Sequence, residues 1–240
     1  MKQSSELRVP LETGAATALV YPADAHTPPV ASLILAHGAG AGQRSAFIAT
    51  FASAIAELGI DVITFDFPYI TQKRRIPDRG PVLEACYRAV IETVRRDIES
   101  ARRFLFVGGK SMGGRIATQV AAGDRMVRLK PGTTYHVAGL VLLGYPLHPP
   151  GRPTELRAAH LASIGRPMLF VQGSRDSFGT PSELMPILAQ LTPPPTLHVV
   201  TGGDHSLKVS RRDPHAQAAV YDDVQRTIVR WIQSIGPLSI

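Results

Sequence analysis

The stretch Gly108-Gly-Lys-Ser111-Met-Gly-Gly114 decides how the rest of the chain is interpreted. The apolar run 104–107 before it is typical of a buried strand, and 115–122 after it is typical of a helix that ends at Gly123. A strand, a glycine turn and a helix, with Gly109-x-Ser111-x-Gly113 in the turn, form the pattern of a nucleophile elbow. In such an elbow the serine lies on a strained turn at the top of a sheet, and side chains in place of the two outer glycines would collide with the neighbouring backbone.

Two other interpretations fit parts of the same stretch. A glycine-rich turn between a strand and a helix, with a serine that caps the helix, accounts for the pentapeptide as well. Gly109-Lys110-Ser111 also resembles the end of a phosphate-binding P-loop, but that motif needs glycine five residues before Gly109, where this chain has Phe104. We therefore reject the P-loop, whereas the capping serine stays open until partners for Ser111 are found.

Composition limits the class of protein. The 240 residues are 44% hydrophobic and 19% charged, which suits a globular protein with a sizeable core. The formal net charge is +7, but the basic residues are scattered in pairs and aromatic residues make up 6%, so we do not expect nucleic acid as a partner. The single cysteine, Cys86, excludes an internal disulfide and a cysteine-rich metal site. The first residues lack a signal-peptide pattern and no run approaches about 18 apolar residues, so we expect a soluble, cytoplasmic protein without a membrane partner.

Strand-like and helix-like segments alternate along the chain. Two short strands near the N-terminus, around 7–9 and 16–21, predict an antiparallel hairpin at the edge of a sheet. Further strands are expected over about 30–36, 60–65, 104–107, 136–144, 167–172 and 196–200, and helices over about 45–58, 82–102, 115–122, 154–164, 181–191 and 215–234. This alternation, without repeats or linkers, predicts a single α/β domain over 1–240, a mostly parallel twisted sheet of seven or eight strands with helices on both faces.

Isolated polar residues follow the ends of the expected strands, where parallel sheets bind their ligands. They are His37, Asp66, Ser111, Asp176 and His205. A serine nucleophile needs a histidine to take its proton and a carboxylate to orient that histidine. Asp176 follows the penultimate strand and His205 follows the last one, in the chain order that this architecture uses. We therefore predict a catalytic triad of Ser111, Asp176 and His205.

Other residues fit this chemistry less well. His198 lies inside an expected strand and His215 opens the last helix, beyond the strand end. Asp204, next to His205, is expected to be a turn residue because neighbours in sequence rarely point the same way. Asp176 itself also fits a turn or a helix cap, and His205 also fits a surface loop.

An oxyanion hole requires two backbone N–H donors. Met112, directly after the nucleophile, is the first expected donor. The second is expected from the loop that begins at His37, where Ala39 is preferred and Gly38 is the alternative. His37 itself is expected to fix the loop rather than to react.

Nearly the whole chain resembles the α/β-hydrolase superfamily. The matching motifs are His37-Gly-Ala-Gly, Gly-Lys-Ser111-Met-Gly-Gly-Arg115, Gly173-Ser-Arg-Asp176 and Gly203-Asp-His205-Ser-Leu. Through Asp66-Phe-Pro-Tyr and His205-Ser-Leu-Lys, the chain is most similar to a small branch of bacterial predicted hydrolases. That branch includes the α/β-hydrolase-like subunit of the NSL chromatin complex. The chain is also similar in size to the dienelactone hydrolases, which carry a cysteine nucleophile where this chain has Ser111.

The resemblance implies the α/β-hydrolase fold and an activity of the carboxylesterase or thioesterase kind. The expected substrate is a small-molecule ester or thioester, and neither a cofactor nor a metal ion is implied. A non-catalytic interaction module with the same fold is the alternative function, because a fold does not imply a function.

The connection between the strands that end near 144 and begin near 167 bears on access to the site. It has about twenty residues, too few for a separate cap domain, so we expect an open site roofed by the loops 69–79 and 145–153. A small or exposed acyl group would suit such a site. Arg74 and Arg75 in the first loop would attract an acidic substrate, although a solvated surface loop is the simpler interpretation.

Overall fold

The computed structural model describes residues 4–24, 29, 31–126, 137–209 and 213–235, with the backbone alone described for 124–126. The strands of this part are β1 (Ser5–Pro10), β2 (Ala15–Tyr21), β3 (Ala31–Ala36), β4 (Asp61–Phe65), β5 (Phe104–Lys110), β6 (Gly139–Leu143), β7 (Met168–Gly173) and β8 (Thr196–Val200). The helices are α1 (Ala46–Glu57), α2 (Pro68–Thr71), α3 (Gly80–Asp97), α4 (Glu99–Arg103), α5 (Met112–Met126), α6 (Pro181–Leu188) and α7 (Pro214–Ile235), with a 3₁₀ helix at Ala159–Ser163. None of the helices in these ranges is long and apolar enough to cross a membrane.

All eight strands belong to one sheet, in the order β1-β2-β4-β3-β5-β6-β7-β8. The first two strands form the expected edge hairpin, which pairs antiparallel from Ser5 opposite Val20 to Pro10 opposite Ala15. β2 also pairs antiparallel with β4, and every other pairing is parallel. The predicted mostly parallel α/β sheet of seven or eight strands is therefore confirmed.

Apolar side chains alternate between two cores, one on each face of the sheet. In β3, Ile34 packs into the core under α3 and α5, whereas Leu33 and Leu35 pack into the core under α1 and α7. In β5, Leu105 and Phe106 divide in the same way, because successive side chains of a strand point to opposite faces. Burial on both faces explains why these strands read as continuous apolar runs. Helices on both faces are confirmed, and within the described ranges the sheet carries no separate cap domain.

The expected end of the elbow helix is wrong. α5 begins at Met112, directly after the elbow serine, and continues through Gly123 to Met126. Glycine in a helix interior costs about 1 kcal/mol relative to alanine. Ile116 and Val120 are buried on this helix, and tertiary packing of such a face outweighs that cost.

The expected long helix over 82–102 is also wrong, because it breaks into α3 and α4. Ile98 between them is extended, with φ −109° and ψ 119°. Ser100 on α4 is buried, and its hydroxyl donates a hydrogen bond to Asp61 and pairs with the hydroxyl of Ser32. The break thus lets α4 bind polar groups at the starts of β3 and β4.

The expected helix over 154–164 is reduced to the short 3₁₀ helix. Its N-terminal part is held by other loops instead of by helical hydrogen bonds: the N–H of Arg157 donates to Leu147 O at 2.8 Å, and its carbonyl accepts from the Tyr145 hydroxyl at 2.6 Å. The short helix α2 was not expected from the sequence. The expected strand start at His136 lies outside the described residues.

Candidate active site

The turn between β5 and α5 holds Ser111 in a strained conformation. Its φ is +52°, in the left-handed region that side chains rarely adopt. The Ser111 N–H donates to Leu143 O at the end of β6 at 2.9 Å, and the Ser111 carbonyl accepts the N–H of Arg115 at 3.0 Å. Because both main-chain groups are used, the strained backbone is fixed and the side chain projects from the top of the sheet.

Two glycines allow this turn to pack against the end of β3. A Cβ atom on Gly113 would lie 2.6 Å from the carbonyl oxygens of both Ala36 and His37. A Cβ atom on Gly109 would collide with the same Ala36 oxygen. The elbow therefore lies directly against the strand that leads into the His37 loop, in agreement with the steric role expected of these glycines.

The structure brings Ser111, His205 and Asp176 together. The loop after β8 places His205 Nε2 at 2.8 Å from Ser111 Oγ, and His205 Nδ1 lies at 2.8 Å from Asp176 Oδ2. Since a carboxylate only accepts, Nδ1 carries the proton and Nε2 presents its lone pair to the Ser111 hydroxyl. This arrangement can transfer the hydroxyl proton to the imidazole and stabilise the imidazolium that results.

Two residues that the sequence analysis missed orient the carboxylate and the imidazole. Asp176 is 1% exposed, and it accepts hydrogen bonds from Gln172 Nε2 at 2.8 Å and from the Phe178 N–H at 2.8 Å. The Phe178 ring stacks on the imidazole of His205, with centroids 4.1 Å apart and an angle of 28° between the planes. The proton acceptor and its acid are therefore held in place by several independent contacts.

Lys110, the residue before Ser111, is a third residue whose role the sequence did not reveal. Its ammonium is buried beside the ring of Phe47 and donates a hydrogen bond to the main-chain carbonyl of His205. Burial lowers the pKa of Lys110 to about 8, although the nearby charges of Asp176 and Asp204 oppose this shift.

His37 fixes the loop that follows β3. Its Nδ1 donates to the carbonyl of Gly38 at 2.8 Å, and its Nε2 accepts the N–H of Phe67 at 3.2 Å. Burial lowers the pKa of His37, outweighing the hydrogen bond to Gly38 and the charge of Asp66, so the ring is neutral at pH 7. A neutral ring with one donor and one acceptor suits these two partners, which hold the loop beside the elbow.

Asp66, which the strand-end argument grouped with the other polar residues, does not join the triad. Its carboxylate accepts the N–H of Gln43 at 2.7 Å and the side-chain amide of Gln43 at 3.1 Å. The Gln43 amide nitrogen also donates to Thr17 O at 3.0 Å, and the Gln43 amide oxygen accepts the Thr64 hydroxyl at 3.2 Å. Asp66 and Gln43 therefore hold the far end of the loop that starts at His37.

A cavity of about 770 Å³ opens above Ser111. Met112 and Ala39, the expected oxyanion donors, line it together with Ser111 and His205, and so does the alternative, Gly38. Ala39 lies in the exposed part of its loop, and Met112 is the first residue of α5, where helical N–H groups lack helical acceptors. The role of both as oxyanion donors stays a prediction.

Both expected roof loops contribute to the cavity wall, but they are not alone. Pro77 and Asp78 come from the first loop and Pro146 comes from the second, while α1 and α7 supply Phe47 and Tyr221. The cleft therefore lies between loops and helix faces instead of beneath a cap.

The competing residues have other partners. Asp204 Oδ1 accepts the N–H groups of Ser206 at 2.7 Å and Lys208 at 3.0 Å, as expected of a turn residue. His198 Nε2 lies 3.3 Å from a carboxylate oxygen of Asp223. Neither contact approaches Ser111, so His205 and Asp176 are the partners that the geometry supports.

Arg74 and Arg75 do not line the described cavity wall. Arg74 is ion-paired with Asp78 at 2.5 Å, and Arg75 is exposed. The simpler interpretation of this pair, a solvated surface loop, therefore agrees with their positions.

Comparison with known proteins agrees with this fold. Residues 29–233 match the family model described as an alpha/beta hydrolase domain. Among solved structures, an α/β serine hydrolase homologue from Coxiella burnetii is similar with a TM-score of 0.71 and 18% identity, over 96% of this chain and 98% of that one. A serine hydrolase without a lid from Xanthomonas campestris gives 0.70 and 20%, over 96% of both chains. A dienelactone hydrolase from Anabaena variabilis gives 0.71 and 16%, over 97% and 98%. At these identities the likeness extends to the fold alone, and the closer resemblance to the branch with the NSL-complex subunit stays a prediction.

Proposed function

Because the chain belongs to the α/β-hydrolase domain family, we propose that it is a serine hydrolase that cleaves a carboxylic ester or thioester. The observation that carries the proposal is the 2.8 Å contact between Ser111 Oγ and His205 Nε2, with Asp176 on the other side of the ring. A serine that serves only as a helix cap needs no histidine with a buried acid behind its hydroxyl. The pair is the arrangement that activates serine for attack.

In the first half of the reaction, Ser111 Oγ attacks the carbonyl carbon of the substrate while His205 Nε2 takes the hydroxyl proton. Asp176 stabilises the imidazolium, and the N–H groups of Met112 and Ala39 stabilise the oxyanion of the tetrahedral intermediate. The intermediate collapses when the carbon–oxygen or carbon–sulfur bond to the leaving group breaks. The leaving alcohol or thiol takes the proton from His205, and the acyl group stays on Ser111.

In the second half, water takes the place of the leaving group. His205 Nε2 accepts a proton from the water as its oxygen attacks the acyl carbon. The second tetrahedral intermediate collapses, its bond to Ser111 Oγ breaks, and the proton on His205 returns to that oxygen. The carboxylic acid leaves, and the enzyme returns to its starting state.

Covalent labelling by a fluorophosphonate tests the proposal directly. The reagent forms a stable bond with an activated serine, so the wild-type protein should become labelled on Ser111, as located by peptide mass spectrometry. Ser111→Ala should abolish labelling, whereas Ser53→Ala on α1, outside the cavity wall, should not. An unlabelled but folded wild-type protein contradicts the proposal and favours the non-catalytic module.

Turnover provides a second test. Removal of Ser111 or His205 by alanine should lower kcat for an activated ester by roughly 10⁴–10⁶. Near-wild-type rates in either variant would mean that a different residue acts as nucleophile or base. Matched acetyl esters and thioesters of the same leaving-group size, compared by kcat/KM, distinguish the two substrate classes.

A further inference from the structure

Basic side chains dominate the charge of the cavity wall. The cations that line it are Lys110, Arg115, Arg157 and Lys208. Asp78 is the sole carboxylate among its described lining residues, and that group is already ion-paired with Arg74. A cleft with one sign of charge and low-dielectric walls concentrates ligands of the opposite sign. The wall therefore favours an anionic ligand.

Arg115 stands one helical turn beyond Ser111. The hydrogen bond from its N–H to the Ser111 carbonyl, at 3.0 Å, opens α5, and residues four apart lie on the same side of a helix. The side chain is half-buried and lines the same cavity as Ser111. Within the described ranges, its guanidinium has neither a carboxylate at ion-pair distance nor a hydrogen-bond acceptor.

Arg157 contributes a second guanidinium group to the cavity, and hydrogen bonds hold its main chain in place. Its N–H is bound to Leu147 and its carbonyl is bound to the hydroxyl of Tyr145, a buried residue. Where the chain is described, the Arg157 guanidinium also lacks an internal acceptor. Arg115 and Arg157 thus line the same cavity, each from a main chain that hydrogen bonds hold in place, so a ligand could be bound there with little rearrangement.

The positive charges of the two guanidinium groups disfavour each other. Burial lowers the pKa of Arg115, and the charge of Arg157 lowers it further. Glu84, whose charge opposes this lowering of the Arg115 pKa, is ion-paired with Arg88 at 3.3 Å. His160, beside Arg115, has a pKa that burial and the Arg115 charge lower, so it adds no cation at pH 7. An anion between the guanidinium groups would remove the repulsion.

We propose that the substrate carries a second, anionic group, a carboxylate or a phosphate, which Arg115 and Arg157 bind while the scissile carbonyl lies at Ser111. This inference rests on the proposed hydrolase function, since it names the class of substrate that Ser111 attacks. Guanidinium groups match the oxygens of both anions with paired hydrogen bonds. The site therefore selects the negatively charged oxygens that carboxylate and phosphate share.

The selectivity between matched esters tests this site. One pair places the charge on the acyl side, the 4-nitrophenyl half-ester of adipate against 4-nitrophenyl hexanoate. A second set places it on the leaving group, with hexanoyl esters of 4-hydroxybenzoate, 4-hydroxyphenyl phosphate and neutral 4-hydroxyacetophenone. In at least one comparison, kcat/KM should be higher for the charged ester. That preference should fall roughly 10- to 100-fold in Arg115→Gln and in Arg157→Gln.

Arg230→Gln provides the matched control, because it removes the same charge from an exposed position on α7. Its charged-to-neutral ratio should equal that of the wild type. The inference is overturned if no charged ester is preferred, or if the preference survives both cavity variants. A ratio that falls equally in Arg230→Gln indicates general charge attraction and also overturns it.

Binding to an inactive protein separates this inference from the proposed function. In Ser111→Ala, the methyl half-ester of adipate should bind more tightly than methyl hexanoate by calorimetry, and Arg115→Gln added to Ser111→Ala should remove the difference. Methyl esters with a phosphate in place of the carboxylate report which anion is favoured. If the wild type is inert to fluorophosphonate yet this difference appears, the catalytic proposal fails and the anion site stands. If labelling succeeds and the difference is absent, the anion site alone fails.

Discussion

The ammonium of Lys110 donates a hydrogen bond to the main-chain carbonyl of His205, 95 positions away in the chain. The residue before the proposed nucleophile thus holds the loop that carries the proposed base. Gly144 leaves room for the contact, since a Cβ atom there would lie 2.7 Å from that carbonyl and 3.3 Å from the ammonium. One buried cation therefore joins β5, the end of β6 and the histidine loop.

Replacement of Lys110 by Met is expected to change how stability depends on pH. Burial lowers the pKa of Lys110 to about 8, below the usual value of about 10.4 for an unfolded chain. Below the lower value both states hold the proton, and the cost of burying the charge is fully present. Between the two values the unfolded chain binds more protons, so the wild type gains stability as pH rises. Relative to Lys110→Met, its free energy of unfolding in urea should rise by roughly 1–2 kcal/mol between pH 7.5 and 9.5.

A second neutral variant, Lys110→Gln, controls for the shape and apolar character of methionine. Its unfolding free energy should follow the pH dependence of Lys110→Met. Parallel curves for the wild type and both variants would contradict burial of a titrating ammonium at this position.

Asp176→Asn should lower kcat by roughly 10⁴ while the fold persists. Asparagine is neutral and no longer stabilises the His205 imidazolium, and its amide nitrogen donates towards the imidazole where a carboxylate oxygen accepted. The proton then belongs on Nε2, which can no longer take the Ser111 proton. The measurement is the rate of hydrolysis of an activated ester, with circular dichroism to verify folding.

Asp204→Asn provides the matched control, because Asp204 is adjacent to His205 but accepts hydrogen bonds within its own turn. Its kcat should stay within a few-fold of the wild type. If Asp204→Asn lowers kcat as much as Asp176→Asn does, the assignment of Asp176 as the acid of the triad is wrong.

The part of the site that could be predicted depends on local pattern and strand order. Gly109 and Gly113 mark a turn that only glycine can form. The five residues alone also fit a capping serine, so the elbow follows from the strand before it, the helix after it and the partners at other strand ends. Asp176 and His205 follow strands whose apolar runs are clear, and parallel strands bring their ends to one edge. Chain order alone then places the three polar residues together.

The remainder depends on contacts that leave no local pattern. Gln172 lies in an apolar strand and Phe178 in an ordinary loop, and each acquires a role only when β7 and β8 are adjacent. Arg115 and Arg157 likewise line one cavity from separate segments of the chain. The helix break at Ile98 could not be predicted for the same reason. It is favoured by the hydrogen bonds of Ser100 to Ser32 on β3 and Asp61 on β4, which the local sequence does not reveal.

Gln172→Leu should destabilise the protein by roughly 2–4 kcal/mol, because a similar volume replaces a fully buried hydrogen-bonding group. The Gln172 oxygen accepts the Tyr145 N–H at 2.8 Å, and its amide donates to Asp176 at 2.8 Å and to Gly179 O at 2.7 Å. All three partners would lose a hydrogen bond in the interior. Urea unfolding measures the effect.

The control for this buried amide is Gln190→Leu, because the Gln190 side-chain amide donates an exposed hydrogen bond to Pro186 O. It should change the free energy of unfolding by less than about 0.5 kcal/mol. Equal effects of the two substitutions would show that the Gln172 network contributes little to stability.

Two glycines of α5 should respond in opposite directions to alanine. A Cβ atom on Gly113 would lie 2.6 Å from two rigid backbone oxygens, so Gly113→Ala should cost more than about 2 kcal/mol and reduce labelling of Ser111. Among the described residues, a Cβ atom on Gly123 would meet only the end of the Arg88 side chain, at 3.0 Å, and that group can move. Gly123→Ala should therefore stabilise the helix by up to about 1 kcal/mol. Thermal unfolding and fluorophosphonate labelling of both variants measure this contrast, and a stable, fully reactive Gly113→Ala would contradict the close packing of the elbow against β3.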